Sequence, residues 1–104
     1  MQKVIMAGNS ERLVIDCNDR VFKEYWNDRI WCRHQLLTMQ QAWGSLEDAQ
    51  AWLESRAGEI LQCIPLMSSK RARRKGRRML QRVNAQLVIC TQIAKQFEAK
   101  RRFP

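Results

Sequence analysis

Two short β-prone runs open the chain, residues 4–7 and 13–15, separated by the turn cluster Gly8-Asn9-Ser10. That pattern predicts a β-hairpin over residues 1–17. An isolated hairpin is marginal in water, so this one has to rest on helices or pair with another chain. Beyond it, Phe22, Tyr25, Trp26, Ile30, Leu36, Leu37 and Trp43 recur at helical spacing. They predict an amphipathic helix over residues 19–43, with Asn18 or Asp19 as its N-cap. At about 100° per residue, Trp31 then points nearly opposite Phe22, which leaves it exposed or covered by a partner.

Gly44 reads as the stop of that helix, and Ser45 as the cap of the next, with Asp48 where a capping-box acid sits. Leu46, Ala49, Leu53, Ala57, Ile60 and Ile64 form the second apolar stripe. Gly58 is a candidate early break, and Pro65 a firm stop, because the residue before proline is pushed out of the α region. A third helix is expected from Ser68 or Ser69 to about residue 101. Its Gly76, Leu80, Val83, Leu87, Cys90, Ala94 and Phe97 alternate spacings of four and three, a heptad-like seam. Within it, "LVICTQIA" (87–94) is apolar nearly all round, since Val88 and Ile89 point away from Leu87. Such a segment belongs to the core of the fold or of a dimer.

The fold expected is mainly helical, of mixed α+β class: an N-terminal β-hairpin packed on about three helices, the last long and basic in its N-terminal half. A single domain is expected over residues 1–104. It divides into the hairpin (1–17), an acidic-to-neutral helical part (18–65) and the basic C-terminal helix (66–104).

Charge sharpens this picture. The net charge is +9 over 104 residues. Residues 1–60 hold seven bases against nine acids, a net of −2, and residues 61–104 hold twelve bases against one acid, a net of +11. Half of the stretch "SSKRARRKGRRMLQRV" (68–83) is Lys or Arg, with no Asp or Glu. On a helix with Leu80 at zero, Lys70, Arg71, Arg74, Lys75, Arg77, Arg78 and Arg82 sweep one outer arc of about 60° to 220°, and Arg73 lies near the seam. The like charges repel at i,i+4 spacing, crowd the wrong end of the helix dipole, and surround a helix-weakening Gly76. A polyanion compensates all three penalties, so the segment is expected to be frayed when free and ordered when bound. Arginine adds a planar fork that pairs with phosphate oxygens. In type, the run resembles arginine-rich RNA-binding helices and the basic regions of DNA-binding helices. Lys70, Arg71, Arg73, Arg74, Lys75, Arg77, Arg78 and Arg82 are therefore the candidate nucleic-acid contacts. With no aromatic inside the run, stacking on unpaired bases is not expected there. A solvated basic face and a localisation tag are the plainer readings of the same residues.

Enzymatic chemistry finds little support. His34 is the single histidine and has no acid at helical spacing, and there is no phosphate loop, no nucleophile motif and no metal-ligand cluster. Cys32 and His34 alone do not make a zinc site. Asp16, Asp19 and Asp28 read as caps and turn residues. Cys17, Cys32, Cys63 and Cys90 read as free thiols filling small core sites in a reducing cytosol. The short run "VIMA" is too brief for a signal peptide, and no stretch approaches a membrane span. No enzyme activity, cofactor, metal or membrane contact is expected, and a cytoplasmic location is. A rival reading is a phage- or plasmid-type modulator gripping a host replication, recombination or transcription enzyme. Trp31, Val88 and Ile89 would then form the protein interface, and a homodimer is a further candidate.

Overall fold

The computed structural model describes residues 2–102; the single-domain expectation for 1–104 thus includes three residues, Met1, Phe103 and Pro104, outside the described residues. Four antiparallel strands come first: β1 (Lys3–Met6), β2 (Glu11–Ile15), β3 (Val21–Trp26) and β4 (Trp31–Leu36), in spatial order β1-β2-β3-β4. Two helices follow, α1 (Met39–Cys63) and α2 (Lys70–Arg102), joined through a 3-10 turn at Ile64–Leu66. The class is mixed α+β, with a four-stranded meander and two helices in place of a hairpin and three.

Most of the expected helix over 19–43 is the second hairpin, β3 and β4, and only its last residues, from Met39, are helical as the start of α1; the reason lies in the turns. Asp16 Oδ1 accepts from the backbone N–H of Asn18 and of Arg20, both at 2.9 Å, and Asp19 sits at φ 59°. Eleven residues on, Asn27 Oδ1 accepts from the N–H of Arg29 (3.0 Å) and Ile30 (2.9 Å), with Asp28 at φ 77°. Short Asp and Asn side chains that mimic backbone acceptors, and tolerate the left-handed region, close turns and not helices. The Asp16 carboxyl is held below the usual carboxylate range, first by the Arg20 N–H. Asp16, Asp19 and Asp28 are thus turn residues, but of strands.

The helix starts were also misplaced. Thr38 caps α1: its Oγ accepts from the Gln41 N–H at 3.2 Å, while the Gln41 side chain accepts from the Thr38 N–H at 3.0 Å. Gly44, Ser45, Asp48 and Gly58 therefore lie inside one helix, which ends just before Pro65. For α2 the expectation holds, with Ser69 Oγ accepting from the Ala72 N–H at 3.1 Å.

One face of the sheet supplies Ile5, Leu13, Ile15 and Val21, which pack with Leu37 on Ala42, Leu46, Ala49 and Leu53 of α1 and Cys90, Ile93 and Phe97 of α2. Trp43, Trp52, Val83, Leu87 and Ile89 close around this cluster. Burial of this kind contributes roughly 1.5–3 kcal/mol per large aliphatic side chain. The Cys90 thiol donates to the Leu46 carbonyl at 3.4 Å, joining the two helices; burial, then the Glu54 charge, pushes its pKa up. Of the four thiols expected in core sites only Cys90 is buried, while Cys17 and Cys63 are exposed. Two side chains tie α2 to the sheet: Gln86 Oε1 accepts from the Met6 N–H at 3.1 Å, and Lys100 pairs with Asp19 at 2.9 Å.

Candidate nucleic-acid interface

The basic run forms the first half of α2, antiparallel to the last turns of α1. Its inner side is fixed. Gly76 is buried, and a Cβ built there would lie 3.0 Å from Ile64 Cγ1 and 3.1 Å from Met67 Cε. Glycine thus eases the close approach of α2 to the end of α1, where a Cβ would need Ile64 and the Met67 tip to give by a few tenths of an ångström. Arg73, the base nearest the seam, turns inward and donates from Nη1 to the Met67 carbonyl at 2.8 Å. The run is helical from Lys70 onward, and this packing offsets part of its poor local propensity.

Its outer side carries the other seven bases, all exposed. Lys70, Arg71, Arg74, Lys75, Arg78 and Arg82, with Met79, line an open concavity of about 760 Å³. From Lys70 to Arg82 the face runs about 18 Å along the helix axis. Among the described residues no carboxylate comes within 4.0 Å of any of the seven. The first turn of α2 contains no acid either, so the positive end of the helix dipole adds to the same field.

The remaining candidates scatter. Val88 is 58% exposed, whereas Ile89 packs against the core, so the two do not share a surface. The stretch 87–94 is therefore enclosed by its own chain on most sides but not at Val88. Trp31 lies on β4, half-buried, with its ring 5.5 Å from that of Trp26 and under the Arg12 guanidinium at 4.3 Å. His34 is exposed on the same strand, edge-on to Tyr25 at 5.3 Å. Among the described residues no three His, Cys, Asp or Glu side chains gather where a metal ion fits. None of the helices there is long and apolar enough to cross a membrane.

Helical periodicity hid one assembly. The registers Phe22↔Leu36, Glu24↔Arg33 and Trp26↔Trp31 put Phe22, Glu24, Trp26, Trp31, Arg33 and Leu36 on the sheet face that no helix covers. Arg12 and Val14 of β2 join them, opposite Glu24 and Phe22. The alternation Phe22, Glu24, Trp26 was the available signal, with Asn27-Asp28 as its turn. No protein-family model, curated protein or solved structure matches this chain.

Proposed function

We propose that this protein is a small nucleic-acid-binding accessory or regulatory protein that holds DNA or RNA by its phosphates through the arginine-rich face of α2. One observation carries the reading: seven exposed cations lie along about 18 Å of one helix, with no carboxylate within 4.0 Å among the described residues. Duplex DNA carries one charge per about 3.4 Å along each strand, so a strand of that length presents about five phosphates. Charge and length match without any base-reading group, and phosphate contact brings affinity with little sequence information. Arg73, held on Met67, serves the helix and not the ligand; Lys70, Arg71, Arg74, Lys75, Arg77, Arg78 and Arg82 are the contacts.

The test is fluorescence anisotropy with an unrelated-sequence duplex, for the native protein and for Arg74→Ala/Lys75→Ala/Arg77→Ala/Arg78→Ala. Tight binding at low salt that the quadruple variant loses supports the proposal. Absence of duplex and RNA binding at low salt refutes it. Capture of a replication, recombination or transcription enzyme from nuclease-treated lysate, without such binding, would favour the enzyme-modulator reading instead.

A further inference from the structure

The helix-free face of the sheet has a composition that an ordinary solvated face lacks. Antiparallel sheets with one open side usually turn polar residues outward. Here Phe22, Trp26 and Trp31 stand outward; Trp26 is 39% exposed, and Phe22 and Trp31 are half-buried beneath guanidiniums whose outer faces continue the surface. Between them lies Glu24, 6% exposed, which accepts from Arg12 Nε at 2.8 Å and Arg33 Nε at 3.2 Å. Each of those guanidiniums covers an aromatic ring, Arg12 on Trp31 at 4.3 Å and Arg33 on Phe22 at 4.2 Å. One buried carboxylate therefore fixes two planar cations, and each cation is fixed again by a ring. The result is a rigid array of π-surfaces whose side-chain entropy is already spent. Phe22 and Trp26 are four residues apart on β3, about 13 Å, so the array reaches beyond a single small ring.

We infer that this face is a second nucleic-acid surface, which stacks the bases of an unpaired strand on the array of Trp26, Trp31, Arg12, Arg33 and Phe22. It extends the proposed function by one ligand class, and the α2 face is not needed for it. Nucleobases present large flat π-faces that stack on Trp and on guanidinium planes, whatever their sequence. The charge fits as well: two guanidiniums against one carboxylate leave a net positive face for the strand's phosphates. A second copy of this chain fits poorly. A two-fold interface would set this net-positive patch against its own copy, and like-charged patches repel.

The probe is a short oligothymidylate, measured by anisotropy and by tryptophan emission, beside the duplex used for α2. Stacking is expected to quench the emission of the native protein. Trp26→Leu/Trp31→Leu, which keeps an apolar cover, is expected to abolish the quenching and weaken oligothymidylate binding about tenfold or more, at about 1–3 kcal/mol per stacked base. Its duplex binding should stay within about twofold of native. Arg33→Ala, which spares both tryptophans, should weaken the oligothymidylate alone by a smaller factor. Unquenched emission of the native protein on saturation with oligothymidylate overturns the inference, and does so even if the double variant fails to fold. So does displacement of the oligothymidylate from the quadruple alanine variant of α2 by an equal charge of polyglutamate, which would mark the sheet face as a general anion surface. Quenching with neither DNA-duplex nor RNA-duplex binding would sink the α2 proposal and leave this one standing. Duplex binding without quenching would do the reverse.

Discussion

Arginine occurs in two electrostatic situations in this molecule. On the sheet, Arg12 and Arg33 share Glu24, Arg20 is paired with Asp16, and Lys23 lies 3.6 Å from Glu11. On the first half of α2, Lys70, Arg71, Arg74, Lys75, Arg77, Arg78 and Arg82 have no such partner among the described residues. The sheet's cations are spent on internal structure: they allow a carboxylate to be buried and they hold aromatic rings in place. The helix's cations stabilise nothing within the described fold, and by crowding one another they weaken it. A charge that damages its own helix and serves no internal partner is best explained by an external one. The difference also assigns roles: paired arginines shape a surface, unpaired arginines create a field.

The largest expected effect comes from breaking what the two regions share. Ile93, 3% exposed, packs in the cluster that joins the sheet, α1 and α2. Ile93→Asp would bury an unpaired carboxylate at a cost of several kcal/mol, comparable to the whole stability of a small domain. Loss of the cooperative thermal transition is expected; retention of it would mean that α2 does not depend on the sheet. Next comes the quadruple alanine variant of α2. It should lose about a hundredfold or more in low-salt duplex affinity. Its melting should be unchanged or improved, because alanine is the better helix former and repulsion is relieved. A fall in melting temperature would place those bases among the structural ones.

Glu24→Ala tests the opposite member of the comparison. It leaves two guanidiniums and two rings without their common anchor, and should cost about 2–3 kcal/mol by chemical denaturation, since Arg33 remains partly hydrated. Duplex binding should not weaken, and added net charge should slightly favour it. An unchanged stability would mean that the sheet's pairs are as idle as ordinary surface ion pairs.

How much of this was legible in the sequence differs along the chain. The course of α2 was readable: Ser69 caps it, and Gly76, Cys90 and Phe97, named from spacing alone, are buried against α1 and the sheet. A long helix repeats its period often enough to be unambiguous. Residues 19–43 were not readable in the same way. Phe22, Tyr25, Trp26 and Ile30 fit a helical stripe by coincidence, although Phe22 and Trp26 point to one side of β3 and Tyr25 to the other. Polarity failed as a guide there, because Glu24 is buried and its tryptophan neighbours are partly exposed. The Thr38-x-x-Gln41 capping box that starts α1 lies within the stretch the stripe assigned to one helix. The candidate face of α2 was legible because charge of one sign needs no register. The array on the sheet depends on strand pairing, which spacing within one strand does not encode.

Smaller substitutions sharpen the contrast between the fixed inner side of α2 and open helix surface. Gly76→Leu should destabilise by about 1–3 kcal/mol, since its side chain would collide with Ile64 and Met67. Gly58→Ala, where a Cβ meets nothing within 4 Å, should stabilise α1 by about 0.5–1 kcal/mol. Denaturant melts of the two variants decide both, and a loss of stability at Gly58 would contradict the open surface there.

The central claim, that unpaired cations on α2 meet phosphates, is tested most directly by the salt dependence of duplex binding. If about five phosphates are neutralised, the logarithm of the association constant should fall against the logarithm of salt concentration with a slope of about −4 to −5. The quadruple variant should flatten it toward about −2 to −3, three of the seven contacts remaining. A native slope near zero, or a slope that the quadruple variant leaves intact, would contradict the account.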